Sequence, residues 1–310
     1  MIASPGNRGH PISPPIAWVG GKRSILPEVL SRFPAGYNRY VEVFGGSGVV
    51  LFGKKPTPFE VWNDYNGDLY NFFYCVKHKH IAFLRELGFL PLNSRQEFGL
   101  MLSFMEGQEF ARQDMREELA LAHKHFEGPE VRQIKSILTE RCMLGDVSRA
   151  VAFFKVNRMS YGSGMDSFNC RPINLRKAYT LIWDAYRRLA GTVILENKDF
   201  QDLIEHYDRE DTFFYLDPPY YMAEKIYAVA FPRADHRRLF DVLTHKDHKG
   251  KWLLSYNDEP FIRELYADYH QHHFTRLNNL GQRYEGGSEY GEILIANYDM
   301  NQNRQMSLFQ

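Results

Sequence analysis

Asp217, Pro218, Pro219 and Tyr220 follow directly on an apolar, β-type run, Thr212-Phe213-Phe214-Tyr215-Leu216. Two successive prolines can neither continue a helix nor donate to a sheet ladder, so the backbone leaves the strand in a fixed, extended shape. That shape presents a carboxylate, a free carbonyl and an aromatic ring together, and it reads as an active site. A second chemical unit is Tyr40-Val41-Glu42-Val43-Phe44 followed at once by Gly45-Gly46-Ser47-Gly48 and the apolar Val49-Val50-Leu51-Phe52. Strand, glycine-rich bend and helix start form the opening of a nucleotide-type binding unit, in which the bend lets backbone approach a ligand. Glu60-Val61-Trp62-Asn63-Asp64 reads as the second strand, with an acid at its carboxyl end where such sheets bind ribose hydroxyls. Ile16 to Arg23 sets a Gly20-Gly21 turn between an apolar segment and a short helix, again suited to close backbone approach.

These groups need a sheet to position them. Thr192 to Leu195, Thr212 to Leu216, Lys251 to Tyr256 and Gly291 to Tyr298 supply further strands, separated by helical patterns. One such helix is capped by Asn174, repeats Leu175, Ala178, Ile182, Ala185 and Leu189, and stops at Gly191. Alternating strands and helices predict an α/β fold with a doubly wound, mainly parallel Rossmann-like sheet, its ligands at the carboxyl ends of the strands. Leu84 to Arg158 is helical in pattern, with a capping box at Ser94 to Glu97, and predicts an inserted helical subdomain. The subdomain ends in a glycine-containing hairpin, Asn157 to Phe168. The expected organisation is a disordered tail over 1–15, a catalytic domain over 16–84 and 173–299, the insert over 85–172, and a second tail over 300–310.

Composition excludes several classes. With 310 residues, 44% of them hydrophobic, the chain is long enough for one large α/β domain plus an insert. Apolar runs fall short of the roughly 20 residues of a membrane helix, and the N-terminal stretch lacks the apolar core of a signal peptide, so a cytoplasmic protein without membrane contact is expected. Cys75, Cys142 and Cys170 form no Cys-x-x-Cys pair, which argues against a disulfide framework or zinc ribbon. No metal is expected: His270, His272 and His273 have no acidic or cysteine partner nearby in sequence and read as a solvent-facing strand edge. Gly48 to Lys54 satisfies the first part of a P-loop pattern but fails where Lys55 replaces the magnesium-binding Ser or Thr. The 38 Lys and Arg balance 38 Asp and Glu, so any nucleic-acid contact must be local. Between Arg141 and Arg188 nine Lys and Arg stand against three acids, a patch of the required sign.

Taken together, Trp18-Val19-Gly20-Gly21-Lys22, Glu42 to Gly48, Asn63-Asp64, Asn197 to Phe200, Asp217 to Tyr220, Ser255 to Asp258 and the terminal strand with Glu292 resemble, in order, the Dam-type (D12 class) DNA adenine-N6 methyltransferases. The resemblance implies S-adenosyl-L-methionine as cofactor. It implies that Trp18, Lys22, Glu42, Phe44, Gly45, Gly46, Ser47 and Gly48 hold the methionine end, Asp64 the ribose, and Asp199 with the Phe200 backbone the adenine. Asp217, also counted with the cofactor, and the Pro218 carbonyl would accept both hydrogens of the target amine, with Pro219 shaping the turn and Tyr220 stacking. The base would be flipped out of duplex DNA. Asn157, Arg158, Tyr161 and Ser163 would contact DNA, although the Tyr-Asn-Gly-Leu-x-Arg hairpin that reads GATC is replaced by Ser160-Tyr161-Gly162-Ser163-Gly164. A methyltransferase of RNA or protein glutamine, and a non-catalytic nucleic-acid-binding module, are the competing classes. Beyond the fold, Gln305-Met306-Ser307-Leu308-Phe309 resembles peptides that dock on the bacterial sliding clamp, with Gln305, Leu308 and Phe309 as anchors.

Overall fold

Thr212–Leu216 are buried without interruption, as a strand covered on both faces of a parallel sheet must be. The computed structural model that shows this describes residues 12–18, 20–88, 94–106, 119–134, 146–160, 165, 167–169, 174–221, 231–277 and 289–301. The chain divides into two compact units: Met1–Pro14, Val19–Asn66 and Gly191–Gln310 form one, and Pro15–Trp18 with Gly67–Ala190 the other.

The first unit carries α1 (Leu26–Leu30), β1 (Arg39–Glu42), α2 (Val49–Gly53) and β2 (Phe59–Asn63), and the second unit's helices follow. Among them are α3 (Gly67–His78), α4 (His80–Leu87), α5 (Arg95–Glu106), α6 (Val147–Met159) and α7 (Leu175–Leu189). The chain then returns to the sheet with β3 (Val193–Glu196), α8 (Phe200–Tyr207), β4 (Thr212–Leu216), α9 (Arg233–Leu243), β5 (Lys251–Asn257), α10 (Pro260–Leu265), β6 (His270–Leu277) and β7 (Glu289–Ala296). The seven strands lie in the order β3-β2-β1-β4-β5-β7-β6. Neighbours from β3 to β5 are parallel, while β7 runs antiparallel to both of its neighbours, β5 and β6. The expected mixed, mostly parallel α/β sheet is therefore present. From β1 the chain proceeds to β2 on one side and from β4 to β5 on the other, so the strand order reverses between β1 and β4. Open α/β sheets bind ligands at such a switch point.

Side chains alternate across a strand, and the register sorts them. Val41, Val61, Phe214, Leu216, Trp252, Leu254, Tyr256, Ile293 and Ile295 belong to one buried cluster with Leu203 and Ile204 of α8, Leu239 and Leu243 of α9 and Ile262 of α10. The other face mixes buried apolar residues with acids and a hydroxyl: Glu60 pairs with Tyr40, Glu42 with Tyr215 and Glu292 with Phe274, and Ser255 lies two positions from Leu253. Phe33 closes part of this face, its ring 4.6 Å from Phe213. Lys54 is buried there against Glu60 at 2.5 Å, with Tyr40 beneath its ammonium at 4.3 Å. The P-loop pattern thus ends in a structural ion pair.

In the helical unit α6 is buried along most of its length, and α3, α4 and α5 pack on it. Asp146 caps α6 by accepting the Arg149 N–H at 2.9 Å, and Asn174 caps α7 by accepting that of Lys177 at 3.1 Å. Ala178, Ile182, Ala185 and Leu189 form the buried stripe of α7. Packing of α3, α4 and α7 with one another, and of α3 and α4 with α6, joins Gly67–Ala190 with Pro15–Trp18 in this unit. Among the described residues no helix is long and apolar enough to cross a membrane, and no group of three His, Cys, Asp or Glu is placed to hold a metal ion.

Candidate active site at the carboxyl ends of β1 and β4

Asp217 emerges from β4 on the polar face of the sheet, and its Oδ1 meets Lys22 Nζ at 2.6 Å. Lys22 is 2% exposed. Its ammonium also donates to the Gly20 carbonyl at 3.1 Å and stands 4.5 Å above the centre of the Tyr220 ring. Burial pushes the Asp217 carboxyl up to about 6, with Lys22 and Arg276 opposing the shift and the Glu292 charge adding to it. The Tyr220 hydroxyl donates to Glu292 Oε2, and Glu292 is in turn paired with Arg276 Nε of β6 at 2.7 Å. A continuous chain of charge and hydrogen bonds thus runs from Arg276 through Glu292 and Tyr220 to Lys22 and Asp217.

The glycine bend lies beside it. The Gly45 N–H donates to the Asn63 carbonyl at 2.7 Å, and a Cβ at Gly45 would stand 2.1 Å from the Trp62 indole nitrogen. Gly46 and Gly48 have positive φ, 51° and 72°, which favours glycine at both places. Asp64 at the end of β2 accepts the Gly46 N–H at 2.9 Å on one oxygen and the Asn66 N–H at 2.8 Å on the other. Burial pushes its carboxyl up to about 6 against those two bonds. Glu42, which accepts the Tyr40 hydroxyl at 2.7 Å, is pushed by burial up to about 8.

The loop after β3 supplies the third part. Asp199 caps α8 through the Gln201 N–H at 2.9 Å and is gripped by both terminal nitrogens of Arg238, at 2.8 and 2.9 Å. Burial alone would raise it, but the Arg238 hydrogen bonds and charge and the Gln201 N–H hold Asp199 below the usual carboxylate range. Arg238 also lies 4.1 Å over the Phe200 ring. Phe44, Phe200 and Phe231 form a three-ring cluster with centroids 5.6 to 5.7 Å apart.

The whole assembly resembles known enzymes in sequence as well. The sequence profile of the D12 class N6 adenine-specific DNA methyltransferases matches residues 18–280. The chain belongs to this family. Among curated relatives, a Type II methyltransferase of Lactococcus lactis subsp. cremoris, M1.LlaDCHI, is 23% identical over 91% of this chain and 94% of its own length. M.MjaIII, a Type II methyltransferase of Methanocaldococcus jannaschii, is 26% identical over 93% of this chain and 99% of its own. A shorter match, 38% identical over 27% of this chain and 32% of its own length, is to the Type II methyltransferase M.CviBI of Paramecium bursaria Chlorella virus NC1A.

In this methyltransferase, then, Lys22, Asp217 and Tyr220 form one contact set, and Glu42, Gly45, Gly46, Ser47, Gly48 and Asp64 surround the ends of β1 and β2. Phe44 joins Phe200 near Asp199. Trp18 belongs to the helical unit, its ring 5.8 Å from Phe153. Asn157, expected at the DNA, is 2% exposed, and its amide donates to the Ala17 carbonyl at 2.8 Å. As described it secures the segment before Trp18, because the helix register turns it into the unit. Arg158 is half-buried, and burial lowers its pKa. Tyr161, Ser163, Gln305, Leu308 and Phe309 lie outside the described residues.

Sequence reasoning assigned no role to Asn63, Arg238 or Arg276. Asn63 joins three loops: its amide donates to the carbonyls of Val43 and Lys198 at 2.9 and 3.1 Å, and its oxygen accepts the Lys198 N–H at 2.8 Å. The signal available for it was its place beside Asp64 at the strand end. Arg238 carried none, being one of several arginines on an amphipathic helix.

Proposed function

We propose that the chain transfers a methyl group from S-adenosyl-L-methionine to the N6 amino group of an adenine flipped out of duplex DNA. The observation that carries this reading is the Lys22-held carboxylate of Asp217, set beside Tyr220 at the switch point and next to the glycine bend.

The residues present suit the cofactor. Each Asp64 oxygen accepts one backbone N–H and retains a lone pair, which fits two neighbouring hydroxyls. Glu42, whose carboxyl burial pushes up to about 8, recovers its charge when a cationic amine arrives to pair with it. Asp199 has one lone pair left on Oδ2 for an exocyclic amine. The Phe200 N–H, in the first turn of α8, is a helix donor without an intrahelical acceptor. When bound, the sulfonium supplies an activated methyl group.

The chain's own residues do the rest. Lys22 occupies Asp217 Oδ1, leaving Oδ2 to accept one hydrogen of the target amine while the Pro218 carbonyl accepts the other. Two acceptors draw the nitrogen toward a pyramidal geometry, which turns its lone pair away from the ring. Asp217 then takes the proton that the alkylated nitrogen sheds. Tyr220, pinned by Glu292 and the Lys22 ammonium, is the stacking platform. The helical unit, with Arg158 and its excess of basic residues, is the part that reads DNA sequence. Single-molecule sequencing of DNA from cells expressing the chain tests the proposal: N6-methyladenine at one defined motif is expected, and unmodified adenine throughout contradicts it.

Two expected outcomes follow from the carboxylates. Asp64→Ala weakens cofactor binding by about 1.5–3 kcal/mol, the worth of hydrogen bonds to a charged group; calorimetric titration that returns an unchanged Kd removes Asp64 from the site. Because Asp217 must be ionised and its pKa lies near 6, the single-turnover rate at saturating cofactor falls as pH drops through about 6. Lys22→Met deletes the cation that opposes the upward shift, so the acid limb moves to higher pH. A rate profile over pH 5 to 9 with the limb unmoved would show that Asp217 is not the titrating group.

A further inference from the structure

Two arginines share a ring that packs on Tyr221, the residue that follows the catalytic tetrapeptide. Arg233 and Arg237 lie one turn apart on α9 and are exposed. Their guanidinium carbons sit 4.5 and 5.8 Å from the centre of the Phe261 ring at the start of α10. Phe261 packs in turn on Tyr221, ring centroids 4.7 Å apart, and the Tyr221 carbonyl is held by the Asn257 amide at 3.0 Å. The pair is thereby linked through packed rings to the strand exit that bears Asp217 and Tyr220.

The neighbouring carboxylates do not neutralise it. Asp235 is turned to Arg238 at 3.1 Å, and Asp258 to Arg263 and His273 at 3.5 and 3.0 Å. Among the described residues neither Arg233 nor Arg237 forms an ion pair. A guanidinium laid on an aromatic ring keeps its planar donor fork free and loses little freedom when it binds, which suits the tetrahedral oxygens of a phosphodiester.

We infer that Arg233 and Arg237, carried on Phe261, grip the backbone phosphates that flank the nucleotide entering the Asp217–Tyr220 pocket. This rests on the DNA-methylating reading above. A base in the pocket brings its own phosphates to the mouth, and unstacking it requires the backbone on either side to be held. Such a contact carries no sequence information. It belongs to the sheet-bearing unit and is separate from sequence reading by the helical unit.

The experiment is the salt dependence of duplex DNA binding by the full-length protein, compared with Arg233→Ala/Arg237→Ala, each single variant, and Arg233→Lys/Arg237→Lys. Each lost phosphate contact lowers the slope of log Kd against log salt by about 0.9, so the double alanine variant loses about 1.8. The lysine pair retains most of the slope, because counterion release counts charge. KM for DNA rises in the alanine variants, while kcat at saturating DNA, cofactor affinity and melting temperature stay at wild-type values. Wild-type methylation of DNA with an unchanged slope in the double alanine variant overturns the phosphate grip alone. A wild-type protein that binds cofactor but transfers nothing to DNA overturns the reading beneath it as well.

Discussion

Asp217→Ala is expected to lower methyl transfer about 1,000-fold, within the range that a positioned proton acceptor contributes, while cofactor binding is largely retained. The same substitution strands the Lys22 ammonium, 2% exposed, with the Gly20 carbonyl and the Tyr220 ring as its remaining partners among the described residues. Removing one member of a buried ion pair costs about 3–5 kcal/mol, so a lower melting temperature accompanies the loss of activity. Asp217→Asn separates the two effects. Its amide oxygen still accepts from Lys22, so most of the stability returns. Its amide nitrogen faces the target amine as a donor where an acceptor is needed, so activity does not return. Turnover in the asparagine variant comparable with wild type would remove Asp217 from the chemistry.

The second large effect is expected at Gly45. A methyl group there would overlap Trp62, whose ring atoms lie 2.1 to 2.6 Å from the added carbon. Trp62 is 1% exposed and sits in β2 between β1 and β3, so it cannot retreat without opening the sheet. Gly45→Ala is therefore expected to destabilise the fold by about 3 kcal/mol, the upper end for overpacking. It also displaces the Gly46 N–H from Asp64, weakening cofactor binding at least about 10-fold by loss of one such bond. Gly67→Ala is the control, since nothing lies within 4 Å of its added carbon; its effect stays within about 1 kcal/mol. Equal melting temperatures for all three proteins would show that the bend tolerates a side chain.

What the sequence reveals and conceals follows from how far apart interacting groups lie along the chain. The exit of β4 was legible because a central parallel strand must be apolar throughout and two prolines must end it. Gly45 to Gly48 and Asp64 were legible because strand, bend, helix and strand follow one another within about 25 residues, the span of one binding unit. Partnerships set by sheet register were not. Glu292 meets Arg276 across the β6–β7 pair and Tyr220 across 72 residues of sequence. His272 was read as an exposed strand position. Although β6 is the sheet edge, its Nε2 lies 2.8 Å from a carboxylate 244 residues earlier, that of Glu28. Asp199 was read as an acceptor for an adenine, and nothing nearby in sequence announced that Arg238, 39 residues on, also grips both of its oxygens. Asn157 shows the limit most plainly, because a polar residue next to an arginine before a glycine-containing hairpin resembles a DNA contact until the helix register turns it inward.

The central claim, that Asp217 and the Pro218 carbonyl present an adenine amine for methylation in DNA, is tested most directly by product chemistry. Purified protein is incubated with unmethylated duplex DNA and deuteriomethyl-labelled S-adenosyl-L-methionine, and the DNA is digested to nucleosides for mass spectrometry. Label in N6-methyldeoxyadenosine alone, absent with Asp217→Asn, is the predicted result. Label in N4-methyldeoxycytidine, or label equal in wild type and Asp217→Asn, would contradict it.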